Sequence, residues 1–376
     1  MEKIWLSTPH MGGSEKKYID DAFDKNWIAP LGQNVNLFEH KIQSFLGEDK
    51  HVAALSSGTA ALHLALILCD VERDDEVICQ SMTFSASANP IAYLGAKPVF
   101  IDSERETWNI DPNALEEAII DGIKRNKKPK AIVAVHLYGM PYKHDEIKLL
   151  SEKYEIPIVE DSAEALGSMY KDQKCGTLGD ISILSFNGNK IITTSGGGAI
   201  ITSNLEKKQK AIFLATQARD DAPHYQHSHI GYNYRLSNVS AGIGCGQMEV
   251  LKDRVNQRRA NHNFYQHFFS TYDHIKMQVE PSSDFYSNYW LSAILFEDNN
   301  GYELREKLRI NLNDKYNIET RPLWKPMHLQ PVFSGAKYFG GNVSEDLFNR
   351  GLCLPSGSAL SEEELNRIKE ALEEEL

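Results

Sequence analysis

Lys190 closes the stretch Ser185-Phe186-Asn187-Gly188-Asn189-Lys190, after the apolar run Ile181 to Leu184 and before Ser195-Gly196-Gly197-Gly198. The apolar run reads as a short buried strand, and Gly198-Ala199-Ile200-Ile201 as the strand that returns. A lysine held between two buried strands gives up its proton more readily than a surface lysine, and a neutral amine is what Schiff-base chemistry requires. On its own the residue also reads as a turn lysine in solvent. Upstream, Ile156-Pro157-Ile158-Val159-Glu160-Asp161 reads as a strand ending in a carboxylate. Further upstream, Ser56-Ser57-Gly58-Thr59-Ala60-Ala61-Leu62 places hydroxyls where Val52-Ala53-Ala54-Leu55 turns into an apolar helix. A helix N-terminus with free N–H groups is a phosphate site. A lysine for an aldehyde, an aspartate for a pyridinium nitrogen and a cradle for a phosphate, in this order, point to pyridoxal 5'-phosphate.

The elements that must position these residues alternate. Strands are expected over 52–55, 76–79, 97–101, 130–135, 156–160, 181–185 and 198–202, and helices over 58–68, 112–124, 144–153 and 204–215. Such alternation predicts an α/β fold with a mostly parallel sheet covered by helices on both faces. Ser57, Asp161 and Ser185 then fall at the carboxyl ends of strands, where such sheets bind ligands. Residues 1–13 read as an extended arm, and Ser14 as the cap of a first helix running to Phe23. Val35, Phe38, Ile42 and Phe45 mark a second helix. One long helix is expected over about 238–268. A smaller α+β domain follows, with strands over 289–296 and 318–323, a helix over 301–310 and a last helix capped by Ser361-Glu362-Glu363-Glu364. The expected division is an arm and large domain over 1–240, then the connecting helix and small domain over 241–376.

Composition bounds the function. The chain has 376 residues, is 41% apolar and 24% charged, and carries a net charge of −12. An acidic chain is not a general binder of nucleic acid or anionic membrane. The five cysteines, Cys69, Cys79, Cys175, Cys245 and Cys353, form no C-x-x-C pair, which favours reduced thiols and a cytoplasmic protein. No signal peptide or spanning helix is expected. His224, His227 and His229 lack metal-ligand spacing, and no metal is expected. A dinucleotide-binding oxidoreductase is disfavoured because Ser57-Gly58-Thr59-Ala60-Ala61 is not G-x-G-x-x-G.

With these residues placed, the sequence resembles the fold-type-I pyridoxal-phosphate sugar aminotransferases of the DegT/DnrJ/EryC/StrS family, along nearly the whole chain. The resemblance is carried by Gly58 to Leu62, Thr83-Phe84, Glu160 to Ala165, Ser185 to Lys190, Gly231-Tyr232-Asn233-Tyr234-Arg235-Leu236 and Thr320-Arg321-Pro322-Leu323-Trp324. Trp27 to Gly32 and Asn187 to Gly198 look most like the C4 aminotransferases of the UDP-N-acetylbacillosamine pathway. It implies an aspartate-aminotransferase-like fold and a homodimer whose two subunits build each site. It also implies transfer of an amino group from L-glutamate to C4 of UDP-2-acetamido-2,6-dideoxy-4-keto-hexose. The same chemistry on another nucleotide-linked 4-keto sugar is the nearest alternative, and a non-catalytic cofactor-binding protein the more distant one.

Residue by residue, the resemblance implies that Lys190 holds the cofactor and moves the proton, and that Asp161 pairs with the ring nitrogen. Lysine at 190, where related dehydratases carry histidine, favours amino transfer. Thr59, the Ala60 backbone and Ser185 would hold the phosphate, joined by Asn233 of a second subunit. Phe84 and Ala163 would sit on opposite faces of the ring. Read without the resemblance, Asp161 and Thr59 are also plausible helix caps, Asn233 a turn residue and Phe84 a core residue. Glu164 departs from the histidine common among relatives, and contact with the ring hydroxyl or the sugar is expected of it. Arg321, Lys325, Trp324 and, from the partner, Arg235 are the expected ligands of the nucleotide-sugar.

Overall fold

The computed structural model describes residues 2–376. Its centre is an eight-stranded sheet. In spatial order the strands are His51–Leu55, Gly198–Thr202, Ile181–Ser185, Ile158–Asp161, Ile132–Val135, Glu76–Gln80, Lys97–Ile101 and Lys337–Phe339. Gly198–Thr202 runs antiparallel to both of its neighbours, and the remaining pairings are parallel. Two reversals restore direction, so Leu55, Asp161 and Ser185 end at the same edge. The expected alternation thus becomes one sheet whose carboxyl edge gathers distant segments.

The strands are apolar on both sides because both faces are covered. Leu55, Val133, Val159, Ile183 and Ile200 pack with Leu62, Leu66 and Leu214 on one face. Ile78, Val99, Ile132 and Ile158 pack with Leu115, Ile119 and Ile147 on part of the other. The helix Pro112–Lys124 begins as its sequence dictates, with Asp111 accepting from the Asn113 N–H and proline at the first position. The final helix, Glu362–Glu375, carries the full capping box between Ser361 and Glu364.

Two local expectations are corrected, and one strand was not foreseen. The long helix is two, Asn238–Glu249 and Leu251–Phe269, broken at Val250, whose φ and ψ are −112° and 7°. Ser14 makes no side-chain cap; instead Glu15 accepts from the Gly12 and Gly13 N–H groups at 2.6 and 2.8 Å. The C-terminal half also lends a strand to the large sheet, since Lys337–Phe339 pairs in parallel with Val99–Ile101. In return the arm reaches the smaller four-stranded sheet region, where Ile4 bridges Ile318 and packs beside Tyr265 and Leu354. Among the described residues no helix is long and apolar enough to cross a membrane.

Candidate active site

At the gathered edge lies a cavity of about 560 Å³ lined by residues from five of the sequence motifs, among them Thr59, Phe84, Asp161, Ala163, Glu164, Ser185, Lys190, Arg321 and Trp324. Lys190 follows a turn closed by its own N–H on the Asn187 carbonyl at 3.0 Å. Its Nζ donates to Glu164 Oε1 at 3.0 Å and lies 4.0 Å from the Trp290 ring centroid. The other Glu164 oxygen accepts from the Tyr138 N–H at 2.8 Å. Tyr138 holds that N–H in place at a positive φ of 56°, a conformation uncommon outside glycine. Burial drives the Glu164 pKa up, and the Lys190 charge offsets this only in part, leaving it at about 7.

Asp161 ends its strand inside the cavity, 4% exposed. Burial raises its pKa, against the opposing hydrogen bonds of Ser87 Oγ at 2.6 Å and the Ala163 N–H at 3.1 Å. Thr83 Oγ1 in turn lies 2.7 Å from Ser87 Oγ. Each Asp161 oxygen is thereby aimed by one donor and keeps capacity to accept another. A ring N–H⁺ suits such a carboxylate.

At the turn expected to hold the phosphate, the helix is capped by a different residue from the one read in the sequence. Ser57, not Thr59, caps the helix Gly58–Leu68, its Oγ accepting from the Ala60 N–H at 3.0 Å. The Ala60 N–H is therefore committed to Ser57, and Ala60 does not line the cavity, whereas Ser57, Gly58, Thr59 and Ser185 do. The approach is close. A Cβ on Gly58 would stand 2.9 Å from Ser185 Cβ, and one on Gly198 would stand 2.4 Å from the Ser57 carbonyl carbon. Carboxylate, amine and anion cradle together fit pyridoxal phosphate.

Phe84 is 56% exposed, so it is not a core residue; its ring centroid lies 5.6 Å from that of Trp324, and Ala163 also lines the cavity. Two expected cations are corrected. Arg235 is buried, its guanidinium donating to Glu39 Oε1 at 2.5 Å and the Ala54 carbonyl at 2.8 Å, so it is spent on holding the helix Gln33–Leu46 to the sheet. Lys325 is exposed and does not line the cavity, because the chain turns inward at Pro326 and Met327. Arg321 does line it, and its Nε and Nη2 rest on Glu319 Oε1 at 2.9 and 2.6 Å. Asn233 is exposed, bridged to Thr216 and outside this chain's own cavity.

Sequence reasoning missed Ser87, Tyr138, Trp290 and the role of Glu160. Side chains alternate along a strand, so Asp161 facing the cavity puts Glu160 on the opposite side. There Oε1 accepts from His136 Nε2 at 2.8 Å, Ser162 Oγ at 2.8 Å and the Gly176 N–H at 2.6 Å. Oε2 accepts from the N–H groups of Leu178 and Gly179 at 2.7 and 2.9 Å and from Ser182 Oγ at 2.6 Å. His136 Nδ1 accepts from the Tyr142 N–H at 3.3 Å, which fixes the tautomer that donates to Glu160. Glu160, His136 and Cys175 approach closely enough to hold an ion. With Glu160 saturated and burial pushing the Cys175 thiol pKa up, the trio is read as structural. Strand alternation was the signal that could have separated Glu160 from Asp161.

Comparison with known proteins agrees with this geometry. The model of the DegT/DnrJ/EryC1/StrS aminotransferase family matches residues 9–373. The chain is 49% identical to the Bacillus subtilis (strain 168) protein EpsN, whose name describes a pyridoxal phosphate-dependent aminotransferase, over 99% of this chain and 95% of that protein. It is 38% identical to the GDP-perosamine synthase of Escherichia coli O157:H7, over 100% and 99%. The PLP-form structure of the sugar aminotransferase Spr1654 from Streptococcus pneumoniae superposes with a TM-score of 0.90 at 26% identity, covering 100% of both chains. The fold is that of the pyridoxal-phosphate-dependent enzymes, and this chain belongs to the DegT/DnrJ/EryC1/StrS aminotransferase family.

Proposed function

We propose that this chain moves an amino group from L-glutamate to C4 of UDP-2-acetamido-2,6-dideoxy-4-keto-hexose, acting as a cytoplasmic homodimer. The observation that carries the reading is the meeting of Lys190, Asp161 and Glu164 with the Ser57–Thr59 cradle in one cavity of a sugar-aminotransferase fold. The stretches Trp27 to Gly32 and Asn187 to Gly198 support the UDP-linked N-acetyl sugar. The 38% identity to a GDP-perosamine synthase favours a second reading, a GDP-linked 4-keto sugar.

When bound, pyridoxal phosphate supplies the electron sink and carries the amino group between the two substrates. Asp161 accepts the ring N–H⁺ and so keeps that proton in place. Lys190 Nζ takes and returns the proton at the reacting carbon. Glu164, in contact with Nζ, stores or releases a proton near neutral pH. Gly58, Thr59, Ser57 and Ser185 hold the phosphate, with Asn233 of a second subunit proposed to complete that cradle. Phe84 and Trp324 would give the cofactor ring and the sugar an apolar wall. Arg321, itself exposed, exchanges Glu319 for a substrate anion, and Glu319 keeps the Leu6 N–H when it is released.

Glu164→Gln is expected to lower kcat about 10²-fold and to remove a limb near pH 7 from the kcat–pH profile. A wild-type profile flat through that region would count against the proton role. The stability side has its own sign. A raised carboxyl pKa favours the protonated fold, a contribution complete below pH 4.5 and lost as pH rises through about 7.

The substrate reading is tested by following the yellow absorbance of the lysine-bound cofactor in purified protein. Bleaching by L-glutamate, restored by the UDP-linked 4-keto-6-deoxy-N-acetyl sugar alone, is the expected outcome. Restoration by a GDP-linked sugar would move the enzyme to the second reading. Indifference to glutamate would overturn amino transfer.

A further inference from the structure

Arg258 is among the most deeply buried large side chains in the molecule, at 1% exposure, and among the described residues no carboxylate lies within ion-pair distance of it. Its Nε has no acceptor among the described residues, and burial pulls its pKa down to about 9. An uncompensated buried cation is costly, and a hydrophobic residue of similar volume would often serve stability better. What the guanidinium does is directional. One nitrogen, Nη1, donates to the Trp290 carbonyl and to the Ser356 carbonyl at 3.3 Å; the other, Nη2, donates to Ser7 Oγ at 2.9 Å.

Those contacts converge one residue from the reactive lysine. Ser7 Oγ donates to the Asn189 carbonyl at 2.8 Å, and Trp290 Nε1 donates to the same oxygen at 2.7 Å. The Trp290 ring also lies against Lys190 Nζ. Asn189 is exposed and its loop is rich in glycine, so its backbone has few other restraints. Arg258 reaches both of its tethers from a helix, Leu251–Phe269, whose Asn261 and Tyr265 pin the Gly357 and Pro355 carbonyls on the same face at 2.9 and 2.8 Å.

We infer that Arg258 is a positioning residue for Lys190: from its rigid helix it fixes Ser7 and Trp290, and through them the Asn189 carbonyl that sets where the lysine stands. The inference rests on the proposed role of Lys190. It deepens that role by making the N-terminal arm and the C-terminal region part of the lysine's support.

The test uses Arg258→Lys, Ser7→Ala and their double variant in the full chain, with Arg258→Met as a harsher change. Three quantities are read: the rate at which cofactor-free protein captures pyridoxal phosphate, followed by its yellow absorbance; kcat and KM for L-glutamate; and the thermal midpoint. Borohydride fixation and peptide mass mapping locate the cofactor. The expected result is capture and kcat each slowed about 10-fold in both single variants, KM within about 2-fold, and the double variant no worse than the slower single. Because Ser7 is a small, half-buried arm residue, Ser7→Ala keeps the test open if Arg258→Met does not fold. Wild-type capture and kcat in folded Arg258→Lys and Ser7→Ala would overturn the inference while leaving the function reading intact. Fixation in wild type at a residue other than Lys190 would overturn both.

Discussion

Lys190→Ala is expected to lower amino transfer by about 10⁴-fold or more and to leave pyridoxal phosphate bound without its yellow lysine-linked absorbance. Two losses combine. Among the described residues the cavity loses its only lysine, and the proposed proton carrier disappears with it. Arg321, the other cationic side chain in the lining, rests on Glu319 and is never neutral, so it cannot substitute. For the same reason Lys190→Arg should be as inactive as the alanine variant while restoring a cation beside Glu164. The stability readout separates the two. Without Lys190, Glu164 keeps its burial and its Tyr138 hydrogen bond but loses the neighbour that lowers its pKa, so its pKa should climb above about 7. Residual kcat within about tenfold of wild type in Lys190→Ala, with the same pH profile, would remove Lys190 from the reaction.

Glu160→Ala is expected to be the most destabilising single change in the large domain, by about 3–5 kcal/mol, read as a fall in the denaturation midpoint. The side chain is fully buried and collects the N–H groups of Gly176, Leu178 and Gly179, together with His136, Ser162 and Ser182. Removing it strands those donors away from water, which costs more than the hydrogen bonds contribute on balance. Burial alone would raise its pKa, but the hydrogen bond from His136 and the further donors outweigh that and hold it at about 2. A depressed carboxyl pKa gives stability that is present above about pH 4.5 and lost as pH falls toward 2. The wild type should therefore weaken across that window, and Glu160→Gln should weaken less steeply, having no carboxylate to protonate. Equal acid sensitivity in wild type and Glu160→Gln would place the acid-labile group elsewhere.

Much of this was legible in the residues. The strands at 76–79, 97–101, 181–185 and 198–202 were legible because both faces of the sheet are covered, which leaves continuous apolar runs bounded by glycine and polar turns. Lys190, Asp161 and the hydroxyl-rich turn before Ala60 were legible because each follows such a run, and ligand sites form where strands end. The break at Val250 was not, because Val250 and its neighbours carry no proline or glycine and a helical pattern continues through them. Nor was the strand Lys337–Phe339, three residues whose reason for being extended is the edge of Lys97–Ile101, far away in sequence.

The division between the two kinds of knowledge follows from range. Local pattern determined most of the strands and helices, the caps at Asp111 and Ser361 and which chemical groups stand at strand ends. Tertiary structure decided which of those groups face the cavity. It turned Glu160 away while Asp161 points in, drew Arg235 onto Glu39, committed the Ala60 N–H to Ser57 and brought Trp290, Ser7 and Arg258 around the lysine. Periodicity acts over a few residues and is written in the sequence; a buried charge takes whichever partner the packed chain brings within about 3 Å, and that partner is set only when the fold closes.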